Sequence, residues 1–160
     1  LLVEIQSLVS RSSFGYARRR AQGFDFNRLS LLVAVLEKRL GLALEAEDIF
    51  VNVAGGIKIE DPAADLAVCA VIASSFRDQE VLTRSVVLGE VGLSGEIRSI
   101  SQVLTRINEA HKLGFKHCIL PKNSIANLNL KKTGMEIIPV SGLKEALDLI
   151  LKSSVHREVK

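Results

Sequence analysis

The sequence predicts one domain of mixed helix and strand, α/β or α+β in class, and two observations predict it. Apolar stretches of strand length alternate along the chain with stripes of helical period. The chain is also the right size: 160 residues, 48% of them hydrophobic, suit a single substantial core, and no run of 18 apolar residues would span a membrane. There is no internal repeat and no low-complexity tract.

The elements follow in order. Leu1 to Val9 alternates imperfectly and is expected to be a strand. Arg11 to Gly23, rich in Ser, Gly and Arg, reads as a long loop of functional or partly mobile character. Asp25 or Asn27 can cap the next helix, and Gly41 can end it. Leu29, Leu32, Val33, Leu36 and Leu40 mark its core stripe, while Lys38 and Arg39 suit the negative end of its dipole. Leu31 and Val35 fall on another face, between Arg28 and Arg39, where either a neighbouring subunit or the domain's own core would cover them.

Ile49 to Ile57 is expected to be the next strand, closed by Gly55-Gly56. Asp61 then has the character of an N-cap and Pro62 that of a first helical residue. From Ala63 to Ala73 only Asp65 interrupts the apolar and small side chains, so this helix belongs in the domain centre. Val86 to Arg98, with Gly89, Gly92 and Gly95, reads as a bent hairpin or bulged pair. Val103, Leu104, Ile107, Ala110 and Leu113 form a helical stripe that Gly114 closes. Phe115 to Leu120 and Met135 to Val140 are short strands, and Leu143 to Leu151 is a final helix with Ser141 as its cap. The domain is taken as residues 1–152, with 153–160 a polar, frayed tail.

Charge and cysteine usage narrow the chemistry. The net charge is only +3, but residues 1–39 hold Arg11, Arg18, Arg19, Arg20, Arg28, Lys38 and Arg39 against Glu4, Asp25 and Glu37. Such a cluster suits a phosphate-binding surface, with a solvated loop as the bland alternative. Cys69 and Cys118 lie in apolar runs and are expected to be buried, reduced thiols. His111, His117 and His156 share no metal-ligand spacing with them, and zinc is not expected. No Gly-x-x-x-x-Gly-Lys-Ser/Thr loop is present; Gly55-Gly56 is a strand-ending turn, so the chain should not bind ATP by itself.

Two segments, Glu60-Asp61-Pro62-Ala63-Ala64-Asp65 and Gly89 to Arg98, resemble the active-site frame of Lon-type Ser-Lys proteases. By that resemblance Ala63 stands at the nucleophile position and Arg106 at the lysine position. Alanine has no atom to attack a carbonyl, and arginine holds its proton at any working pH. The protease pattern Pro-Ser-Ala-Gly is here Pro62-Ala63-Ala64-Asp65, so a carboxylate also occupies the first helical turn. Arg106 falls on the helical wheel inside the arc bounded by Leu104 and Leu113. It must therefore snorkel to solvent or meet a partner, and Asp65 is the expected partner.

The resemblance widens with Leu1-Leu2-Val3-Glu4-Ile5-Gln6, Asp25 to Leu29, Ala34 to Arg39, Val51 to Ile57 and Glu109 to Phe115. With these ordered blocks the chain resembles the C-terminal Lon-protease-like domain of the RadA (Sms) family of bacterial DNA-repair proteins. The resemblance implies an α+β ribosomal-protein-S5-domain-2-like fold of the Lon proteolytic type. It implies a parent with a zinc ribbon and a RecA-like ATPase ahead of this domain, so ATP, Mg and Zn are expected there and no cofactor here. The chain starts inside a strand-like run without a signal-peptide pattern, which fits an excised piece of such a parent. The implied partners are single-stranded or branched DNA, the protein itself as a homo-hexamer, and a recombinase. The implied location is the bacterial cytoplasm, at the nucleoid and not at a membrane.

Three functions compete on this reading. The first is accessory DNA binding and subunit assembly, with Arg18, Arg19, Arg20, Arg28, Lys38 and Arg39 as the DNA surface and Leu31 and Val35 as the subunit contact. The second is a structural ring scaffold whose basic loop is incidental. The third, an active peptidase, is opposed by Ala63 and Arg106.

Overall fold

A computed structural model describes residues 1–13, 15–130 and 133–152. The tail expected at 153–160 lies outside the described residues.

The first sheet has three strands in the order β1 (Ile5–Arg11), β3 (Glu47–Val53), β2 (Arg19–Gln22). β1 runs antiparallel to β3 in the register Ile5↔Val53 to Arg11↔Glu47, and β2 runs parallel to β3 from Arg19↔Ile49 to Gln22↔Asn52. The expected loop over Arg11–Gly23 therefore has to be corrected, because its second half is a strand. Arg-Arg-Ala-Gln carries no apolar alternation; its place is set by backbone bonds to β3 and by the Gly23 turn. Gly23 sits at φ +80, and a Cβ there would stand 2.4 Å from the Ile57 carbonyl.

One face of this sheet packs against α1 (Phe26–Leu40) and α2 (Asp65–Arg77). Asp25 caps α1 by accepting the Arg28 N–H, and Gly41 ends it in the left-handed conformation. α1 packs against both β2 and α2, so its buried arc includes Val35 as well as the expected stripe. The chain leaves β3 through a short turn at Ala54–Gly56, earlier than the strand expected to Ile57. A single 3-10 turn, Pro62–Ala64, then leads into α2, whose Leu66, Val68, Cys69, Ala70, Ile72 and Ala73 are all buried.

The region expected to be one hairpin divides. After β4 (Glu80–Val81), β5 (Ser85–Val87) joins a second sheet, and only β6 (Glu90–Val91) and β7 (Ile97–Arg98) form an antiparallel pair. α3 (Val103–Lys112) follows. β8 (His117–Pro121) lies between β5 and β9 (Glu136–Val140), all three parallel. This sheet is packed on both faces. The row Val86, Cys118, Ile137 joins α3 in a small cluster, while Val87, Ile119 and Ile138 face the main core.

α4 (Leu143–Ile150) closes the main core, and β10 (Leu151–Lys152) pairs with β4. Ser141 is not the cap of α4. Gly142 occupies that position, and the Glu145 carboxylate accepts the Ser141 N–H at 3.1 Å instead.

The stripe expected on α3 is narrower than its apolar residues suggested. Val103, Ile107 and Ala110 are buried, but Leu104 is 40% exposed and Leu113, beyond the helix end, is 60% exposed.

Candidate functional site

The Asp61–Asp65 turn is positioned by its own sequence. The Asp61 Oδ1 accepts the Ala63 N–H at 3.0 Å, while Pro62 supplies a preset φ and needs no donor partner. Ala63 is thereby held nearly buried at 3% exposure, facing a cleft of about 720 Å³ that Arg106 also lines. The Arg106 Nη2 donates to Asp61 Oδ2 at 2.8 Å, and its Nε donates to the Ser101 carbonyl at 2.9 Å. Burial opposes ionisation of Asp61, but the Ala63 N–H and the Arg106 guanidinium outweigh it and hold the carboxyl below its ordinary range.

Ala63 and Arg106 thus face one cleft, and Arg106 is ion-paired there to Asp61. The expected pair Asp65–Arg106 is corrected: Arg106 binds Asp61, and Asp65 binds Arg28. Leu104 and Leu113 do not bound a buried arc, so Arg106 sits at a cleft rim and reaches the exposed cap residue. Asp61 had a local role as cap, and that role hid its second one.

Asp65 is fully buried and works between elements. It accepts from Arg28 Nε at 3.0 Å, from Arg28 Nη2, and from the Val91 N–H at 3.1 Å. Arg28 Nη2 also reaches the Val91 carbonyl at 3.2 Å. One carboxylate therefore fastens α1, α2 and β6 together. The Asp65 hydrogen bond raises the Arg28 pKa above its usual value against the opposing effect of burial. Asp65 is thus a structural clip between these elements.

The six cations of the expected DNA surface are not brought onto one face. Arg18 binds Asp48, through its backbone N–H at 2.8 Å and through Nη2 at 3.0 Å. Those two bonds hold the Asp48 carboxyl below its ordinary value. Arg19 turns inward and donates to the Glu47 and Leu44 carbonyls. Arg28 belongs to the Asp65 clip, and Arg39 donates to the Leu93 carbonyl at 3.1 Å while its side chain keeps an exposed end. Arg20 and Lys38 are exposed. Alternation along β2 separates Arg19 from Arg20, a distinction that a loop reading could not make.

Of Leu31 and Val35, expected at a subunit contact, Val35 is corrected to the domain's own core. Val35 is 3% exposed within the main core, and Leu31 is half-buried and packs against the same core. Cys69 and Cys118 are free and buried. Burial pushes both thiols up, Cys118 to about 12, so neither is a ready nucleophile. Among the described residues, no group of three or more His, Cys, Asp or Glu is placed to hold a metal ion, and no helix is long and apolar enough to cross a membrane.

Residues 28–124, from the Arg28 clip through Arg106, match the family model described as subunit ChlI of Mg-chelatase. The chain belongs to this ChlI-type family. As a ChlI-type domain it is similar to proteins named DNA repair protein RadA. It is 49% identical to that of Halalkalibacterium halodurans over 94% of this chain and 33% of the relative. It is 52% identical to that of Bacillus subtilis over 92% of this chain and 32% of the relative. The RadA protein of Listeria monocytogenes is 46% identical over 92% of this chain and 32% of its own length. The resemblance drawn from the sequence blocks therefore holds across nearly the whole chain, and the chain spans about a third of the length of these relatives.

Proposed function

We propose that this chain is a non-proteolytic DNA-binding and ring-assembly domain of a RadA-type DNA-repair ATPase, built on the Lon-type, S5-domain-2-like fold. The observation that carries the reading is the 45–52% identity to proteins named DNA repair protein RadA over more than nine-tenths of the chain. The site geometry supports the loss of proteolysis. Ala63 offers no nucleophile to the cleft, and the Arg106 guanidinium is neutralised by Asp61. For DNA, the exposed cations Arg20, Lys38 and Arg39 supply phosphate contacts.

On this reading the partners are single-stranded or branched recombination DNA, further copies in a hexameric ring, and a recombinase. The location is the bacterial cytoplasm at the nucleoid. ATP, Mg and Zn act in other parts of the parent.

A second reading, a ring scaffold with no DNA contact, draws on one observation: Arg18, Arg19 and Arg28 make their polar contacts inside the fold. Titrating the chain with single- and double-stranded DNA at two salt concentrations, beside a size measurement, separates the two. Salt-dependent binding supports the DNA reading. Assembly without binding at low salt supports the scaffold.

A further inference from the structure

The sheet β1-β3-β2 has helices on one face, and its other face is a surface of unusual composition. Strand register places side chains on that open face in rows. Leu8, Phe50 and Arg20 form one row, and Gln6, Asn52 and Gln22 the next. Ser10, Asp48 and Arg18 continue the face beyond Phe50. Leu8 is 61% exposed, and Gln6, Arg20 and Gln22 are exposed. The Arg18 guanidinium lies over the Phe50 ring, 5.8 Å from its centroid, and Tyr16, 74% exposed, stands in the turn that leads into this end of the sheet.

The ring, the guanidinium and the carboxamides on this face suit an unpaired base. A ring with a guanidinium over it offers a stacking surface. The carboxamides carry both donors and acceptors for base edges; Asn52 donates to Gln6 at 3.4 Å and Gln6 to Glu4 at 3.2 Å, contacts a base would exchange. Arg20 has no ion-pair partner among the described residues, so its charge is available to a phosphate. Leu8 and Phe50 together are too small an apolar area to hold a stable protein partner. A duplex hides its base faces; an extended single strand exposes them, and rows about 7 Å apart along a strand suit bases spread beyond their stacked spacing.

We propose that this open sheet face is a platform for single-stranded nucleic acid, with bases seated on Phe50 and Arg18, base edges on Gln6, Asn52 and Gln22, and phosphates on Arg20. The inference rests on the DNA-binding reading above and deepens it by naming the surface.

The test uses the 160-residue chain with a fluorescent thymidine 20-mer and a duplex of the same length. Phe50→Leu keeps an apolar side chain, and Tyr16→Ser alters an exposed residue, so both should fold. Their combination should weaken single-strand binding about tenfold or more and change duplex binding little. Arg20→Ala should weaken binding to both and lower the salt slope by about one. Photocrosslinking with a bromouracil-substituted strand should label peptides carrying Tyr16 or Phe50. If Phe50→Leu/Tyr16→Ser leaves single-strand affinity unchanged while the chain still binds DNA, the platform is overturned and the DNA reading stands. If those variants change the size of the assembly and not DNA affinity, the face is a protein contact and the platform is overturned. If the chain binds neither probe at low salt, both readings fall.

Discussion

Asp61 does the work that two residues were expected to share. Its carboxylate caps the turn before α2 and also binds Arg106, so the turn and the cleft rim are held in one charge-balanced unit. On the proposed reading, that pairing should keep a Ser-Lys pair built at these positions inert. In Ala63→Ser/Arg106→Lys the new lysine would meet the same Asp61 carboxylate, which favours its charged form, whereas a Ser-Lys mechanism needs that lysine neutral. The double variant is expected to hydrolyse no unfolded protein substrate above background, and turnover that follows the purified variant through a second chromatographic step would contradict the assignment. Carboxylates bound this way also set the acid response. Asp48 and Asp61 are both held below the unfolded value of about 3.9, so the native state binds fewer protons than the unfolded chain. Their stabilisation is therefore fully present above about pH 4 to 5 and is lost as pH falls through the lowered native values. Asp48→Asn should melt below wild type at pH 7, and the gap should narrow at pH 3. A gap independent of pH would mean that Asp48 acts by packing alone.

Between elements, the Arg28–Asp65 pair is the join that the fold cannot easily replace. Its carboxylate is buried and accepts from two elements besides its own. Removing one partner of such a pair costs about 3 kcal/mol or more, because the survivor is left buried and unpaired. Arg28→Met and Asp65→Asn are each expected to destabilise the domain, and the double variant by less than their sum; strict additivity in denaturant melts would show that the residues act separately. Val35 belongs to the same packing. Val35→Asp should unfold the domain, and a folded variant that merely assembled differently would return Val35 to a subunit contact. How far the elements were legible follows from what carries their information. α1 was legible because Asp25, its stripe and Gly41 are local signals, and α2 because an apolar helix has one place to go. β2 was not, since Arg-Arg-Ala-Gln has no alternation and is a strand only beside β3. The Arg28–Asp65 join was not, because nothing in a sequence marks partners that meet through packing. Leu104 and Leu113 misled because apolar residues at helical spacing need not be covered.

At the scale of the molecule, the two clusters of buried side chains differ in depth. The main one joins the first sheet to α1, α2 and α4, and the second holds α3 on the outer face of β5, β8 and β9. Their helices are fastened unequally. α2 buries Leu66, Val68, Cys69, Ala70, Ile72 and Ala73, starts from the Asp61-capped turn and carries the Asp65 clip. α3 buries only Val103, Ile107 and Ala110, and its N-cap residue, Gln102, is held at φ +56 with no side-chain cap. A left-handed non-glycine residue and uncapped N–H groups both favour opening at that end. Local opening free energy scales with buried apolar contact, so α3 should open without the rest of the molecule. Arg106 lies on α3, and its bond to Asp61, beside the pairing of Glu109 with the Leu1 amine, ties that helix across the cleft. Hydrogen exchange read by mass spectrometry should find the amides of 103–112 exchanging well before those of 65–77. Arg106→Met should speed exchange in α3 and leave α2 unchanged, because it cuts that tie and leaves the main core intact. If both helices exchange at one rate, and the Arg106 variant shifts them together, the two clusters form a single cooperative unit and the cleft cannot widen by itself.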